Sequence, residues 1–397
     1  MAGPLNGVRI LDLTQVVFGP FCTMLLSDMG AEVIKIERPG VGDIARGNGP
    51  VVRGVSTYFL SLNRGKKSVT IDLSDKRGAD IFLRLVERSD ILVENFTVGT
   101  MEKLGFGYDR IRERNPGIIY VAGSGFGQSG PYSYKPAFDV IIQAMGGVMS
   151  ITGEEGGPPV RPGVSYGDIT AGLFLSTATL AALNERHISG QGQFIDISML
   201  DCQISVQENA FVRYLNTGEI PRALGTRHAV YTPFQAFRTK DGYVALALRG
   251  GFKDQWPLFC AVVGRVDIID DPRFRDGWSR TQNYNQLEPI LTEAISARTT
   301  AEWITDMEAA GIPCGPVNNI ASVAGDSNTA ARDMIIEVDQ PGAGTFKTVN
   351  SPFKFSRTPS RGHGYSPELG EHTAEVLGTV LGMTGEEIAR LRSDRIV

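Results

Sequence analysis

The chain has 397 residues, of which 42% are hydrophobic and 21% charged, and its formal net charge is −5. A chain of this size can bury a substantial core in two or three domains, or in one large α/β unit. The mild negative charge argues against nucleic acid or an anionic membrane as a partner, because both need a concentrated basic surface.

Targeting, membrane-spanning and metal-binding segments each have a recognisable sequence pattern. The first residues do not form a basic region followed by an apolar stretch, and no run reaches the roughly 18 apolar residues that a membrane span requires. We therefore expect a protein of the reducing cytoplasm with no membrane partner. The four cysteines form no CxxC pair and the four histidines have no ligand spacing, so we expect neither a disulfide framework nor a metal site.

Short β-rich runs alternate with helical patterns through the first 130 residues. The predicted strands lie at residues 8–14, 32–37, 68–73, 91–94 and 118–122, with helices at 21–29 and 76–88. This alternation indicates a parallel sheet with helices on its faces. Ligands bind such sheets beyond the carboxyl ends of the strands, which here are residues 14–15, 37–38, 94–96 and 123–124.

The remaining chain divides into three parts. After a loop rich in Gly and Pro, a long helix is predicted from about residue 168 to 187, and its small apolar residues predict burial along most of its length. Strand 194–198 follows. Residues 231–316 have the pattern of a separate α+β unit, with a hairpin turn at Asp241 and Gly242. The tail returns to mixed structure and ends in a helix near residues 386–393.

Two glycine motifs of well-known enzymes occur. Gly125 to Gly130 match the dinucleotide fingerprint GxGxxG after a strand, but no helical pattern follows them. Residues 163–167 match the GxSxG elbow of serine hydrolases around Ser165, but the Gly- and Pro-rich run before them cannot be a central strand. We interpret both motifs as turns, and a serine hydrolase that uses Ser165 is the most remote functional alternative.

Asp168 lies where a glycine-flanked turn meets the long helix. Asp is a preferred helix N-cap, so its position alone favours a capping role by about four to one. A carboxylate at a helix N-terminus is also expected to be held ionised by the unpaired amides and the helix dipole. An ionised carboxylate can attack an acyl thioester. Composition and spacing leave both roles, cap and nucleophile, open.

Segments along nearly the whole chain resemble one enzyme family. They lie at residues 4–14, 19–20, 30–38, 93–96, 123–131, 167–168, 311–316 and 369–373. In this number and order they are similar to the family III coenzyme A-transferases, which share their fold with α-methylacyl-CoA racemases. The resemblance implies an α/β protein with a Rossmann-like parallel sheet in a large domain (1–220 and 321–397), a small α+β domain (225–320) and an interlocked homodimer.

The resemblance also implies a mechanism in which Asp168 is the nucleophile. Asp168 would attack a donor acyl-CoA to give a mixed anhydride, then carry coenzyme A as an aspartyl thioester until a carboxylic acid accepts it. Coenzyme A is thus part of substrate and product, and no permanently bound cofactor is expected. The family often uses succinyl-CoA, so small dicarboxylates are candidate acyl groups. Arg161, Arg227 and Arg249 are candidate partners for a second carboxylate, with surface or structural ion-pair roles as the alternative.

Further site residues follow from the resemblance. Positions near the reacting thioester are matched by Gln15, Asp139, Gly250 and Gly251, the last two in a segment where some members have a glycine-rich lid. Positions that line coenzyme A are matched by Arg38, Asn95, Phe96, Lys103, Leu104 and Lys135. The racemases place a His before the acidic residue that matches Asp139. This chain has Phe138 there, which cannot exchange a proton, so a transferase is favoured over a racemase.

Overall fold

The computed structural model describes residues 3–249, 254–360 and 364–397. The chain divides into a larger unit of Met1–Val148, Arg161–Gly218 and Ser327–Val397 and a smaller unit of Met149–Val160 and Glu219–Asp326. The smaller unit therefore includes a short segment that precedes the long helix. Gly250 and Gly251, which were expected near the thioester, lie outside the described residues.

The strands are numbered in chain order. They are β1 (Arg9–Asp12), β2 (Glu32–Glu37), β3 (Val51–Val52), β4 (Val55–Ser56), β5 (Lys67–Thr70), β6 (Ile91–Glu94), β7 (Ile119–Ser124), β8 (Phe194–Ser198), β9 (Phe234–Arg238), β10 (Tyr243–Ala247), β11 (Cys314–Pro316), β12 (Ile335–Gln340) and β13 (Gly344–Val349). Six of them form one parallel sheet in the order β5-β2-β1-β6-β7-β8. The predicted mixed α/β fold with a parallel sheet is confirmed.

The order of the strands creates a reversal at the middle of the sheet. From β1 the chain moves outward to β2 and β5, then returns to place β6 on the other side of β1 and continues to β7 and β8. Leu11 in β1 is thus paired with Ile34 on one side and with Leu92 on the other. Neighbouring loops leave a parallel sheet in opposite directions at such a point, which opens a crevice where ligands bind.

The helices are also numbered in chain order. They are α1 (Phe18–Asp28), α2 (Thr57–Asn63), α3 (Lys76–Val86), α4 (Thr100–Lys103), α5 (Tyr108–Arg114), α6 (Asp139–Met145), α7 (Tyr166–Ser189), α8 (Met199–Val206), α9 (Glu208–Thr217), α10 (Trp256–Val262), α11 (Gly277–Gln282), α12 (Tyr284–Ser296), α13 (Thr300–Ala309), α14 (Ile320–Ala324), α15 (Ser327–Ala331), α16 (Thr373–Leu381) and α17 (Gly385–Ser393). No helix among the described residues is long and apolar enough to cross a bilayer.

The parallel sheet is buried on both faces. On one face, alternate strand residues such as Leu11 pack with side chains of α3, α5, α16 and α17. On the other face, residues such as Ile10 pack with side chains of α1, α7 and α8. Side chains alternate across a strand, so the inner strands β1, β2, β6 and β7 supply both cores, whereas the edge strands β5 and β8 supply one core each. The helices α16 and α17 show why the chain end belongs to the larger unit.

The long helix α7 differs from its prediction in two ways. It begins at Tyr166, with Ser165 as the residue before it. It is also not buried along most of its length, because Leu173, Phe174 and Ile188 are 45%, 37% and 83% exposed. Within the described part of the chain, its buried side chains pack against α1, α6 and α8 and against the strands β7 and β8. Small and apolar residues are spread evenly along the α7 sequence, so the sequence does not indicate which face of the helix packs against other elements.

The smaller unit has its own core. The antiparallel strands β9 and β10 form the predicted hairpin across Asp241 and Gly242, and β11 adds to the β10 edge. Helices α10, α12 and α13 cover this sheet with buried side chains that include Trp256, Leu287 and Trp303. The expectation of an α+β arrangement over residues 231–316 agrees with these elements.

Candidate active site

A cavity of about 590 Å³ lies at the carboxyl edge of the parallel sheet. Its lining comes from the loops that leave β1, β6 and β7, together with residues of α2, α6 and α7. The loops after β1 and β6 belong to the strands between which the chain reverses direction. The cavity therefore occupies the crevice that this class of sheet offers to ligands.

Gln15 and Asn95 join the two loops that border this crevice. The backbone N–H of Gln15 donates to Asn95 Oδ1 at 2.8 Å, and Asn95 Nδ2 donates back to the Gln15 carbonyl oxygen at 3.0 Å. Both residues line the cavity. The Asn95 side chain thus pairs with both backbone groups of Gln15 in the opposite loop. These two hydrogen bonds fix the distance between the loops that follow β1 and β6.

Val16 holds an unusual backbone conformation beside the cavity. Its φ of 70° lies in the left-handed region, which a β-branched residue rarely adopts and which costs of order 1–3 kcal/mol. The Val16 N–H donates to Asp43 Oδ1 at 3.2 Å. Asp43 in turn forms a buried ion pair with Lys35, at 2.9 Å between Nζ and Oδ2. This buried pair holds the strained peptide next to Gln15 in one conformation.

Asp139 lies at the first position of α6 and is 10% exposed. Its Oδ1 accepts the Gly167 N–H at 2.8 Å. Its Oδ2 accepts from Gln143 Nε2 at 2.7 Å and from Arg161 Nη2 at 2.7 Å. The carboxylate therefore joins α6 to the loop before α7 and to the first turn of α7, and it fixes the position of the residue that follows Gly167.

Asp168 is the third residue of α7, with its carboxyl in the cavity. The expectation that it caps the helix was wrong, since Ser165 occupies the cap position. The helix N-terminus was also expected to hold Asp168 ionised, but its pKa is raised and not lowered. Among the described residues none donates a hydrogen bond to this carboxylate. Burial, and then the nearby Asp139 carboxylate, raise the pKa of Asp168 to about 7, while Arg161 opposes the shift.

Tyr58 is a cavity residue that the sequence did not reveal. It lies on α2, is half-buried, and lines the cavity with Asp168. Burial raises the pKa of its hydroxyl, and the carboxylates of Asp168, Asp43 and Asp139 add to the effect. The Tyr58 hydroxyl therefore lies close enough to these three carboxyl groups for their charges to affect its ionisation. No motif surrounds Tyr58, and no spacing links it to Asp168.

Six residues were expected to line coenzyme A, and they lie in different places. Asn95, Phe96 and Lys135 line the cavity, and the Lys135 ammonium lies 3.9 Å from the centroid of the Tyr132 ring. The other three do not line it. Arg38 is exposed after β2, Lys103 is exposed at the end of α4, and Leu104 is half-buried against the core of the sheet.

The remaining arginine candidates differ in their partners. Arg161 lines the cavity and pairs with Asp139. Arg227, in the smaller unit, forms an ion pair with Glu155 at 2.6 Å. Arg249 is exposed, and its backbone N–H donates to Gln255 Oε1. Within the described residues, Arg161 is the one arginine of these three that lines the cavity with Asp168.

The geometry of a serine hydrolase is not present around Ser165. Residues 151–165 are described in full and contain no strand, so the strand of a nucleophile elbow does not precede α7. The hydrogen bond recorded for the Ser165 hydroxyl comes from Arg161 Nη2, at 3.3 Å. In the GxGxxG motif, the chain after β7 forms turns up to α6, so no helix opens behind the glycines.

The cavity can therefore support covalent chemistry on a carboxylate. Asp168 lacks hydrogen-bond donors in the described structure, whereas Asp139 beside it is fully engaged. Apolar side chains of Val17, Phe18 and Phe96 form part of the wall. A poorly solvated carboxylate is a better nucleophile than a hydrated one, and an apolar wall protects reactive acyl groups from water.

Comparisons of the sequence and of the structure with known proteins agree on one enzyme class. The model of CoA-transferase family III matches residues 5–373. The chain is 39% identical to succinyl-CoA:glutarate CoA-transferase of Mus musculus, over 99% of this chain and 90% of that protein. It is 40% identical to succinyl-CoA:mesaconate CoA-transferase of Haloarcula hispanica, over 99% of this chain and 100% of that protein. A CAIB/BAIF family protein from Brucella suis has a crystal structure with a TM-score of 0.84 and 33% identity, covering 96% of this chain and 100% of that one.

Proposed function

Because this chain belongs to CoA-transferase family III and is a CoA-transferase, we propose that its donor is succinyl-CoA and its acceptor a small dicarboxylic acid. Succinyl-CoA appears in the names of two relatives that are 39% and 40% identical, with glutarate and mesaconate as their acceptors. Both acids carry a second carboxylate, so the class of acceptor is supported by chemistry that the relatives share.

The proposed reaction proceeds through covalent intermediates on Asp168. A carboxylate oxygen of Asp168 attacks the thioester carbonyl, and the C–S bond breaks to leave a succinyl–aspartyl anhydride and the CoA thiolate. The thiolate attacks the aspartyl carbonyl, which releases succinate and leaves an aspartyl-CoA thioester. The acceptor carboxylate attacks this thioester, and the C–S bond breaks to leave a new anhydride and the CoA thiolate. The thiolate then attacks the acceptor carbonyl, which gives the new acyl-CoA and restores the carboxylate.

The single observation that carries this proposal is the environment of Asp168. Its pKa of about 7 leaves a substantial ionised fraction at neutral pH, and that fraction has no hydrogen-bond donor among the described residues. Such a carboxylate loses little solvation when it attacks a carbonyl. Asp139, whose oxygens accept hydrogen bonds from three residues, is better suited to position α7 than to act as a nucleophile.

The other expected roles remain part of the proposal. Asn95, Phe96 and Lys135 are proposed to contact coenzyme A inside the cavity, and Arg38, Lys103 and Leu104 outside it, with no permanently bound cofactor. Gln15 is proposed to border the thioester. A racemase needs a second base, and Phe138 in the cavity wall offers no proton.

The proposed homodimer is supported by one face of α7. Leu173, Phe174 and Ile188 are exposed on this helix, although they are large and apolar. A second copy of the chain that covered them would remove this apolar surface from water. The interlocked form of the dimer is carried over from the family resemblance and is proposed with it.

Product analysis tests the proposed function. The enzyme is incubated with succinyl-CoA and either glutarate or mesaconate, and the acyl-CoA products are identified by mass spectrometry. We expect glutaryl-CoA or mesaconyl-CoA from the native chain, none from Asp168→Ala, and transfer retained in Ser165→Ala. Failure of the native chain to acylate CoA with any small dicarboxylate would refute the substrate class. Retention of transfer in Asp168→Ala would refute the mechanism.

A further inference from the structure

We propose that Arg161 forms a subsite for the distal carboxylate of the substrate, the carboxylate that does not exchange coenzyme A. The inference rests on the proposed function, because only a dicarboxylate brings this second group into the cavity. It assigns the specificity for dicarboxylic acids to one side chain, and it predicts which acids the enzyme discriminates against.

The guanidinium of Arg161 has donors to spare. Its Nε donates to Asp139 Oδ2 at 3.1 Å, and its Nη2 donates to the same oxygen at 2.7 Å and to Ser165 Oγ at 3.3 Å. Nη1 has no recorded partner within the described part of the chain. Arg161 is 37% exposed and lines the cavity. The two N–H groups of Nη1 are therefore available to an incoming carboxylate.

Asp139 does not depend on Arg161 alone. If Arg161 turns toward a substrate, Asp139 still accepts from the Gly167 N–H and from Gln143 Nε2. Removing one donor from a buried carboxylate is costly only when the carboxylate is left unsatisfied. Arg161 can therefore share its charge with a bound anion without releasing α7 from α6.

The charges of the cavity favour an anion once the reaction has begun. The charged residues in the described lining are Lys135, Arg161, Asp139 and Asp168, and they cancel formally when Asp168 is ionised. Formation of the anhydride or of the thioester removes the negative charge of Asp168. The lining then has a net positive charge, which attracts the distal carboxylate during the steps in which the intermediates must be retained.

Arg161 fits this role better than Lys135. The charge of Arg161 lowers the pKa of Asp168, so the guanidinium is within electrostatic range of the reacting carboxyl, whereas Lys135 is not among the charges that act on it. The Lys135 ammonium lies over the Tyr132 ring. A guanidinium also has N–H groups on three nitrogen atoms, so it can donate to Asp139 and to a second carboxylate at the same time.

A competition between two acceptors of equal length tests the subsite. Glutarate and pentanoate have the same number of carbon atoms, but only glutarate has a distal carboxylate. Both are supplied together with succinyl-CoA, with pentanoate in excess, and the ratio of glutaryl-CoA to pentanoyl-CoA is measured by mass spectrometry. The ratio reports relative kcat/KM, and a misfolded fraction of the sample lowers both products without changing it.

Three variants complete the experiment. Arg161→Gln is expected to lower the glutarate-to-pentanoate ratio by about 10- to 100-fold, the range for one lost charged hydrogen-bonding partner. Arg161→Lys keeps the charge and is expected to recover part of the ratio. The control is Arg114→Gln, which breaks an ion pair between Arg114 and Glu87 on the surface of the larger unit. It should leave the ratio unchanged.

The possible outcomes separate the subsite from the function. If Arg161→Gln lowers both products by the same factor, its role is structural and acts through Asp139, and the subsite is refuted. A preserved ratio with unchanged rates refutes the subsite as well. If the native chain makes neither product, the proposed function itself is refuted, whether or not succinyl-CoA is consumed. The inference about Arg161 is then refuted with it.

Discussion

The Asp139 carboxylate accepts the backbone N–H of Gly167 at 2.8 Å, immediately before the proposed nucleophile. A residue at the start of α6 thereby fixes the first turn of α7. The same carboxylate raises the pKa of Asp168 through its charge. Asp139 thus controls both the position and the protonation of Asp168.

A methyl group at Gly167 should separate activity from stability. A Cβ there would lie 3.1 Å from Asp139 Oδ1 and 3.5 Å from Ile142 Cγ2, so the carboxylate must move by a few tenths of an ångström. Ala is a better helix former than Gly by about 1 kcal/mol, which offsets the crowding. We expect Gly167→Ala to lose about tenfold in transfer rate with little change in Tm.

The matched control for this change is Gly163→Ala, in the loop before α7, where an added Cβ has nothing within 4 Å. Transfer rates and thermal unfolding should be measured on both variants. Normal transfer in Gly167→Ala would show that the hydrogen bond from Gly167 to Asp139 does not position Asp168.

The rate of the first half-reaction should follow the ionisation of Asp168. Since only the carboxylate attacks, the rate of succinate release in a single turnover should rise with pH, with a midpoint near the Asp168 pKa of about 7. Asp139→Asn removes a charge that raises this pKa, so the midpoint should fall. Arg161→Gln removes a charge that lowers it, so the midpoint should rise. Shifts in the same direction would contradict this account of the electrostatics.

Asp168 should also cost the enzyme stability at neutral pH. Its folded-state pKa is raised from 3.8 to about 7. Below pH 3.8 Asp168 is protonated in both the folded and the unfolded state. Between pH 3.8 and 7 only the unfolded state loses the proton, so the free energy of unfolding falls as pH rises. The loss is complete above pH 7. The side chain of Asp168→Asn does not ionise, so this variant should not lose stability in this way. Its advantage in free energy of unfolding should grow from pH 4 to 7 and then remain constant.

The control for this prediction is Asp267→Asn. The hydrogen bond from Arg265 lowers the pKa of Asp267 on the surface. The variant should therefore show an effect of the opposite sign, and a smaller one because exposed pairs contribute little. Denaturant unfolding at several pH values measures both. An advantage of Asp168→Asn that does not vary with pH would contradict the shifted pKa.

The bridge between Gln15 and Asn95 should respond to loss of one donor. Asn95→Asp keeps an acceptor for the Gln15 N–H but places a carboxylate oxygen against the Gln15 carbonyl oxygen, where Asn95 Nδ2 now donates at 3.0 Å. We expect a loss of about 1–3 kcal/mol in stability and of about tenfold in kcat/KM for succinyl-CoA. Asn216→Asp, which removes a similar donor on the exposed helix α9, is the control. Equal effects in both variants would argue against a role for the bridge.

The sequence predicted the strands better than the site. The strands β2, β6 and β8 match their predicted ranges, because each is a short run that is rich in β-branched residues. The start of α7 was predicted two residues late, because Tyr166 and Gly167 resemble a turn when their tertiary contacts are unknown. Helix burial depends on which face has neighbours, which periodicity alone did not reveal for Leu173 or Ile188.

The site itself depends on contacts between distant parts of the chain. Asp43 holds Val16 across 27 residues, and Asp139 holds Gly167 across 28. No local spacing encodes such pairs, and Tyr58 has no motif at all. Asp168 could be singled out by its place before a helix, yet its raised pKa results from burial and from Asp139, which only the folded arrangement brings together.

The most direct test of the account is to map the covalent intermediate. The enzyme is mixed with succinyl-CoA without an acceptor, the adduct is trapped with hydroxylamine or borohydride, and peptides are analysed by mass spectrometry. The account predicts a modified Asp168 in the native chain and in Ser165→Ala, and no adduct in Asp168→Ala. An unmodified Asp168 in an enzyme that transfers CoA, or an adduct that persists in Asp168→Ala, would contradict it.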